Sequence, residues 1–82
     1  MSTKLYVGNL PWTFNNNQLS ETFKKYGNVV SAKVVTDKET GKSKGFGFVE
    51  MANDDEANNS IKALNGSEIN GRKLIVAAAK NS

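Results

Sequence analysis

The sequence predicts an α+β sandwich in which two helices pack on one face of a four-stranded antiparallel sheet. Three observations predict this fold. The chain of 82 residues has room for one small domain, which we place at residues 1–82 with its core at about residues 3–79. Its β-prone and helix-periodic segments follow one another in the order β-α-β-β-α-β. Each helix has a single apolar stripe, so both should pack on the same sheet face and leave the other face uncovered.

The first half of the chain predicts a strand, a helix and a second strand. Residues 4–8 and 29–35 are β-prone. Between them, Asn15 and Gln18 have the spacing of a capping box with Asn15 as the N-cap, and Gly27 ends the helix. We expect Asn15, Asn16 and Asn17 only to cap and start this helix. The apolar stripe, expected in the core, has the spacing i, i+4, i+7 and consists of Leu19, Phe23 and Tyr26.

The second half predicts two further strands around a second helix. A polar loop at residues 37–43 precedes the β-prone residues 45–51. Asn53 and Glu56 repeat the capping-box spacing, and Ala57, Ile61 and Leu64 form the second apolar stripe. Asn70-Gly71 predicts a tight turn before a last strand at residues 73–78. Two βαβ units that share one sheet form the ferredoxin-like arrangement.

The composition excludes several classes of site. The chain has no cysteine and no histidine, which removes disulfides, cysteine-based zinc sites and histidine-based acid–base catalysis. No nucleophile–base pair, paired acids or metal cluster is recognisable, so we expect no enzyme activity, no cofactor, no metal and no small-molecule substrate. No apolar run approaches about 18 residues, and the N-terminus lacks a secretory signal, so we expect a cytoplasmic protein without membrane contact.

The charge balance is mildly basic and unevenly distributed. The chain carries 11 basic and 8 acidic residues, which gives a net charge of +3. Lys38, Lys42 and Lys44 lie in one short stretch, whereas Asp54, Asp55 and Glu56 are consecutive. This segregation favours a polyanionic partner more strongly than the net charge does.

The uncovered sheet face is expected to be aromatic. Side chains alternate along a strand, so the aliphatic residues of the first and third strands share one face, and Tyr6, Phe46 and Phe48 lie on the other. The reverse assignment would leave Val49 and Met51 in water. Exposed aromatic rings bordered by lysines predict a binding site for single-stranded nucleic acid, either RNA or DNA, because bases stack on rings and ammonium groups bind phosphates.

Two motifs in these strands resemble those of a known family. KGFGFVEM at residues 44–51 is similar to the RNP1 octapeptide of the RNA recognition motif, except that Met51 replaces an aromatic residue at the last position. LYVGNL at residues 5–10 is similar to RNP2, and ANNSIKALNG at residues 57–66 and GRKL at residues 71–74 also resemble the family. If the protein begins at Met1 and ends at Ser82, the chain also resembles short, stand-alone bacterial proteins with a single such domain.

The resemblance implies a role for four residues of the motifs. It implies that Tyr6 and Phe48 each stack on one base, that Phe46 lies against the sugars, and that Lys44 pairs with a phosphate. Six further candidates for RNA contact are Lys4, Asn9, Lys33, Lys42, Lys73 and Lys80. Each has an alternative: a solvated lysine, a flexible loop for Lys42, and a turn role for Asn9.

The function that these residues predict is single-stranded RNA binding by a monomer with a post-transcriptional role. The alternative is a protein-interaction module on the same fold. Trp12 bears on the choice, since it either covers the rim of the helix pair or contacts a partner or RNA.

Overall fold

The structure, a computed structural model, describes residues 2–79 apart from the side chains of residues 43 and 44. Within these residues two helices and six strands are present. In chain order they are β1 (Thr3–Gly8), α1 (Asn16–Lys24), β2 (Val29–Thr36), β3 (Ser43–Met51), α2 (Asp54–Leu64), β4 (Glu68–Ile69), β5 (Arg72–Lys73) and β6 (Ile75–Ala78).

Four of the strands form the predicted antiparallel sheet, in the order β2-β3-β1-β6. Helix α1 packs against β2 and β3, and α2 packs against β6, β1 and β3. Both helices therefore cover one face of the sheet, as the two apolar stripes predict. The ferredoxin-like α+β fold is confirmed.

The core lies between the helices and the aliphatic face of the sheet. Leu5 and Val7 of β1 and Val49 and Met51 of β3 are fully buried. Phe23 of α1 is also fully buried and packs in the same cluster. The face assignment from strand alternation is thus confirmed, and the reversed assignment, which would expose Val49 and Met51, is wrong.

Both predicted helix N-caps are present. The Asn15 side chain accepts a hydrogen bond from the Gln18 N–H at 2.8 Å, and Gln18 Oε1 accepts one from the Asn15 N–H at 3.0 Å, which completes the capping box. The Asn53 side chain accepts a hydrogen bond from the Glu56 N–H at 2.9 Å. The acidic first turn of α2 adds a favourable interaction with the helix dipole.

The expectation that Tyr26 belongs to the core is wrong. Helix α1 ends at Lys24, and the Tyr26 N–H donates to the Phe23 carbonyl at 3.0 Å in the turn that follows. The i, i+4, i+7 spacing no longer applies once the helix has ended, and 37% of Tyr26 is exposed.

The last predicted strand is divided in two. Asn70 and Gly71 have φ values of 51° and 81°, as a tight hairpin turn requires, and they join the two-residue strands β4 and β5. Lys73 belongs to this hairpin and pairs with Glu68, so it lies outside the four-stranded sheet. The sheet strand begins only at Ile75.

Asn16 does more than start a helix. Its Oδ1 accepts a hydrogen bond at 2.7 Å from the N–H of Val34, next to an irregularity in the pairing of β2 with β3. The expectation that all three consecutive asparagines only cap and start α1 is therefore wrong for Asn16. Its amide joins the beginning of α1 to an edge strand, where backbone pairing is interrupted.

Asn16→Ala is expected to lower the free energy of unfolding by about 1–3 kcal/mol, because it leaves a partly buried N–H without this acceptor. Chemical denaturation checks the change. Asn17→Ala, at the next and exposed position of the same helix, is the matched control for helix propensity. Equal losses in the two variants would contradict the structural role of Asn16.

Candidate functional site

Three aromatic rings cluster on the sheet face that the helices leave uncovered. The Tyr6 and Phe46 ring centroids are 5.9 Å apart, Tyr6 and Phe48 are 6.0 Å apart, and Phe46 and Phe48 are 6.2 Å apart. The interplanar angles of 31°, 67° and 90° are those of tilted and edge-to-face contacts, which aromatic pairs favour. Each ring is half-buried. We call these three side chains the aromatic cluster.

Strand register places the cluster at the centre of the sheet. Tyr6 lies directly opposite Phe48, and Gly8 directly opposite Phe46, in the β1–β3 pairing. Residues that face each other across an antiparallel pair project from the same side of the sheet. The row through Tyr6 and Phe48 continues to Ala77 on β6 and Lys33 on β2, so it crosses all four strands.

Gly8 provides the surface on which Tyr6 lies. A Cβ atom at Gly8 would stand 2.7 Å from Tyr6 Oη and 2.8 Å from Tyr6 Cε2. The phenol ring therefore lies across the bare backbone of its i+2 neighbour, where any larger residue would displace it. The sequence contains the signal for this role, since the same alternation places Tyr6 and Gly8 on one face, but no role was predicted for Gly8.

Two of the predicted lysines flank Phe48. Lys4 Nζ lies 5.1 Å from the centroid of the Phe48 ring, in a cation–π contact. Lys33 is exposed and lies opposite Phe48 in the β2–β3 pairing. The structure therefore brings two positive charges next to one ring of the aromatic cluster.

The carboxylate of Glu50 lies at the same end of the uncovered face as Lys4. The sequence predicted no role for it. Glu50 lies opposite Lys4 on β1 and opposite Ser31 on β2. Its Oε1 accepts a hydrogen bond from Ser31 Oγ at 3.4 Å, and its Oε2 accepts one from Ser2 Oγ. Strand alternation already places Glu50 on the same face as Phe48, but the two serine hydroxyls reach it from other parts of the chain and are brought there by the fold.

The predicted turn role of Asn9 is supported by the structure. Asn9 has a φ of 58°, its Nδ2 donates to the Lys73 carbonyl at 2.8 Å, and its Oδ1 accepts from Arg72 Nη1 at 3.1 Å. These contacts hold the end of β1 to the β4–β5 hairpin. Lys73 is exposed in that hairpin, so the structure does not place it in the sheet row where it was predicted.

Lys42 and Trp12 line a separate cleft. The cleft has a volume of about 730 Å³ and is formed by the β1–α1 loop, the start of α1, the end of β2 and the β2–β3 loop. Trp12 is 62% exposed. The β2–β3 loop is held by Asp37, whose carbonyl accepts from the Gly41 N–H at 2.7 Å and whose Oδ1 accepts from the Glu39 N–H at 2.8 Å.

Two predicted site residues are not placed. Lys80 lies outside the described residues, as does the side chain of Lys44. Within residues 2–79 no group of three or more acidic, histidine or cysteine side chains is arranged to hold a metal ion. The described helices are all too short or too polar to cross a membrane.

Comparison with known proteins identifies similar chains. The family model described as RNA recognition motif matches residues 5–75. The 28 kDa chloroplastic ribonucleoprotein of Spinacia oleracea is 48% identical over 79 residues, which are 96% of this chain and 34% of that protein. The mitochondrial glycine-rich RNA-binding protein 4 of Arabidopsis thaliana is 47% identical over 96% of this chain and 58% of that protein. This chain therefore spans between about a third and three fifths of these relatives.

Among solved structures, the crystal structure of RNA Binding Protein PG1 superposes with a TM-score of 0.93 and 45% identity. The match covers 98% of this chain and 96% of that one.

The similar proteins bear on two predictions, the cytoplasmic location and the resemblance to bacterial proteins. The predicted cytoplasmic location is wrong, since the similar proteins are named as chloroplastic and mitochondrial. The absence of a recognisable secretory signal did not carry information about these compartments. The resemblance to bacterial single-domain proteins is supported only at the level of the family, because the curated relatives named above are plant proteins.

Proposed function

Because the chain belongs to the RNA recognition motif family, which is not a family of enzymes, we propose that it binds single-stranded RNA on the uncovered face of its sheet. The observation that carries the proposal is the aromatic cluster with Lys4 and Lys33 beside it. Bases of single-stranded RNA can leave their stack and lie on such rings, while the lysines neutralise phosphates.

The family resemblance supports a division of roles among these residues. Tyr6 and Phe48 each stack on one base, and Phe46 lies against the sugars between them. Lys33 and Lys44 bind phosphates. Lys4 covers part of the Phe48 ring in the free domain, 5.1 Å from its centroid, so it must move when a base stacks there. Its ammonium group then becomes available to a phosphate.

We propose that the single domain acts as a monomer in a post-transcriptional role.

A fluorescence-anisotropy titration against a randomised single-stranded RNA pool tests the proposal. Single strands lose affinity with a logarithmic salt slope of about −0.7 per neutralised phosphate, so three lysine–phosphate contacts predict a roughly 20-fold weaker Kd between about 50 mM and 200 mM salt. A duplex RNA of the same length should bind more weakly, because its paired bases cannot stack on the rings. Absence of binding at low salt, or equal binding of duplex and single strand, would refute the proposal.

A protein partner is the second candidate function, and one observation favours it. Trp12 is largely exposed beside an apolar cleft that lies apart from the aromatic cluster. Since Trp12 is the single tryptophan of the chain, its fluorescence reports on that cleft alone. RNA binding that weakens with salt but leaves Trp12 emission unchanged would support the sheet face as the functional surface.

A further inference from the structure

The RNA-facing surface contains a negative charge that phosphate binding does not explain. Glu50 follows Phe48 by two residues on β3, so both side chains project from the uncovered face. A carboxylate repels phosphates and weakens the field of the neighbouring lysines. Glu50 lies near the end of the central strand β3, between β1 and β2, where a ligand group that donates hydrogen bonds would be favoured over a phosphate.

Two serine hydroxyls orient the carboxylate of Glu50. Ser31 Oγ donates to Oε1 and Ser2 Oγ donates to Oε2, one hydroxyl to each oxygen. Lys4 lies directly opposite Glu50 on the neighbouring strand, but the two side chains do not form an ion pair. Among the described residues, an ion pair joins Lys24 to Glu21 on α1, at 3.6 Å. Lys4 Nζ instead lies over the Phe48 ring.

The carboxylate retains hydrogen-bonding capacity. An ionised carboxylate accepts about four hydrogen bonds, and the two serine hydroxyls use two of them. Glu50 is only half-buried and projects from the same face as Phe48, so a ligand on that face can reach its carboxylate. Two acceptor sites, one on each oxygen, suit a ligand with two parallel N–H donors.

We propose that Glu50 selects guanine for the position on Phe48, an inference that rests on the proposed RNA-binding function. Guanine presents N1–H and the N2 amino group side by side, and these can donate to the two oxygens of one carboxylate. Cytosine and adenine present one amino group next to an unprotonated ring nitrogen, whose lone pair repels the second oxygen. Uracil presents two carbonyl oxygens on either side of one N–H and is the least favoured base.

The test compares short single-stranded RNAs that differ in one base. A run of uridines is compared with the same run containing one guanosine, one inosine, one adenosine or one cytidine. Inosine keeps N1–H but lacks the N2 amino group, so it removes one of the two donors. We expect the wild-type protein to bind the guanosine RNA about ten-fold more tightly than the uridine run, with inosine between them.

Glu50→Gln removes the charge while keeping the size of the side chain, and we expect it to abolish the preference for guanosine. Glu21→Gln is the matched control, because it makes the same charge change on α1, which packs on the opposite sheet face. The control variant should keep the preference. Thermal unfolding of both variants checks that they are folded, and the inosine comparison requires only the wild-type protein.

The outcomes separate the two proposals. Equal binding of all five RNAs by the wild-type protein, or a guanosine preference that survives Glu50→Gln, would overturn the role of Glu50 and leave RNA binding intact. A preference for guanosine that inosine matches fully would overturn the two-donor geometry. Failure of the wild-type protein to bind any of the RNAs at low salt would overturn the proposed function itself.

Discussion

Simultaneous replacement of Tyr6, Phe46 and Phe48 by alanine is expected to weaken binding to single-stranded RNA by more than about 30-fold and to leave the domain folded. Stacking on an aromatic side chain contributes about 1–3 kcal/mol per base, so the loss of two stacking rings costs at least about 2 kcal/mol. The rings lie on the uncovered face and contribute nothing to the core between sheet and helices. Anisotropy titration measures the binding, and circular dichroism measures the fold.

The single variant Phe48→Ala should account for about 1–3 kcal/mol of this loss. Val49→Ala is its matched control on the other face of the same strand. Val49 is fully buried, so its truncation should lower the free energy of unfolding by roughly 1–3 kcal/mol and leave the affinity of the folded protein unchanged. Unfolding caused by Phe48→Ala, with a stable Val49→Ala, would mean that the two faces have been assigned the wrong way round.

The aromatic cluster could be predicted because strand alternation is strictly local. A period of two residues assigns Phe46 and Phe48 to one face and Val49 and Met51 correctly to the other, without knowledge of the partner strands. The capping residues Asn15 and Asn53 were predictable for the same reason, since each binds a backbone N–H three residues away. Which residues of the uncovered sheet face contact RNA remains a prediction.

The sequence predictions fail where a local pattern ends or where a contact joins residues that are far apart in the sequence. The periodicity that put Tyr26 in the core continued past the end of α1. Strands β4 and β5 have two residues each, which is too short for alternation to be visible. The hydrogen bond from Val34 N–H to Asn16 spans 18 residues, and the serine contacts of Glu50 span 19 and 48 residues. No spacing rule within one element predicts such contacts.

Gly47→Ala is expected to be the most destabilising of the substitutions considered, at about 3 kcal/mol. A Cβ atom at Gly47 would stand 2.5 Å from the Lys33 carbonyl oxygen, 3.0 Å from Val34 Cα and 3.2 Å from Leu19 Cδ2. The first two atoms belong to the backbone of β2, so no side-chain rotation relieves the contact. Gly47 also lies between Phe46 and Phe48, and its missing side chain lets β2 and α1 pack closely beneath the aromatic cluster.

Gly41→Ala is the control that separates this steric effect from backbone strain. Gly41 has a φ of 72°, and no atom lies within 4 Å of the Cβ that alanine would add, so only the cost of a left-handed conformation, about 1–2 kcal/mol, applies. Chemical denaturation of the two variants measures the difference. If Gly47→Ala costs no more than Gly41→Ala, β2 can move away from β3 without penalty. The close packing of α1, β2 and β3 would then not be what holds Lys33 opposite Phe48.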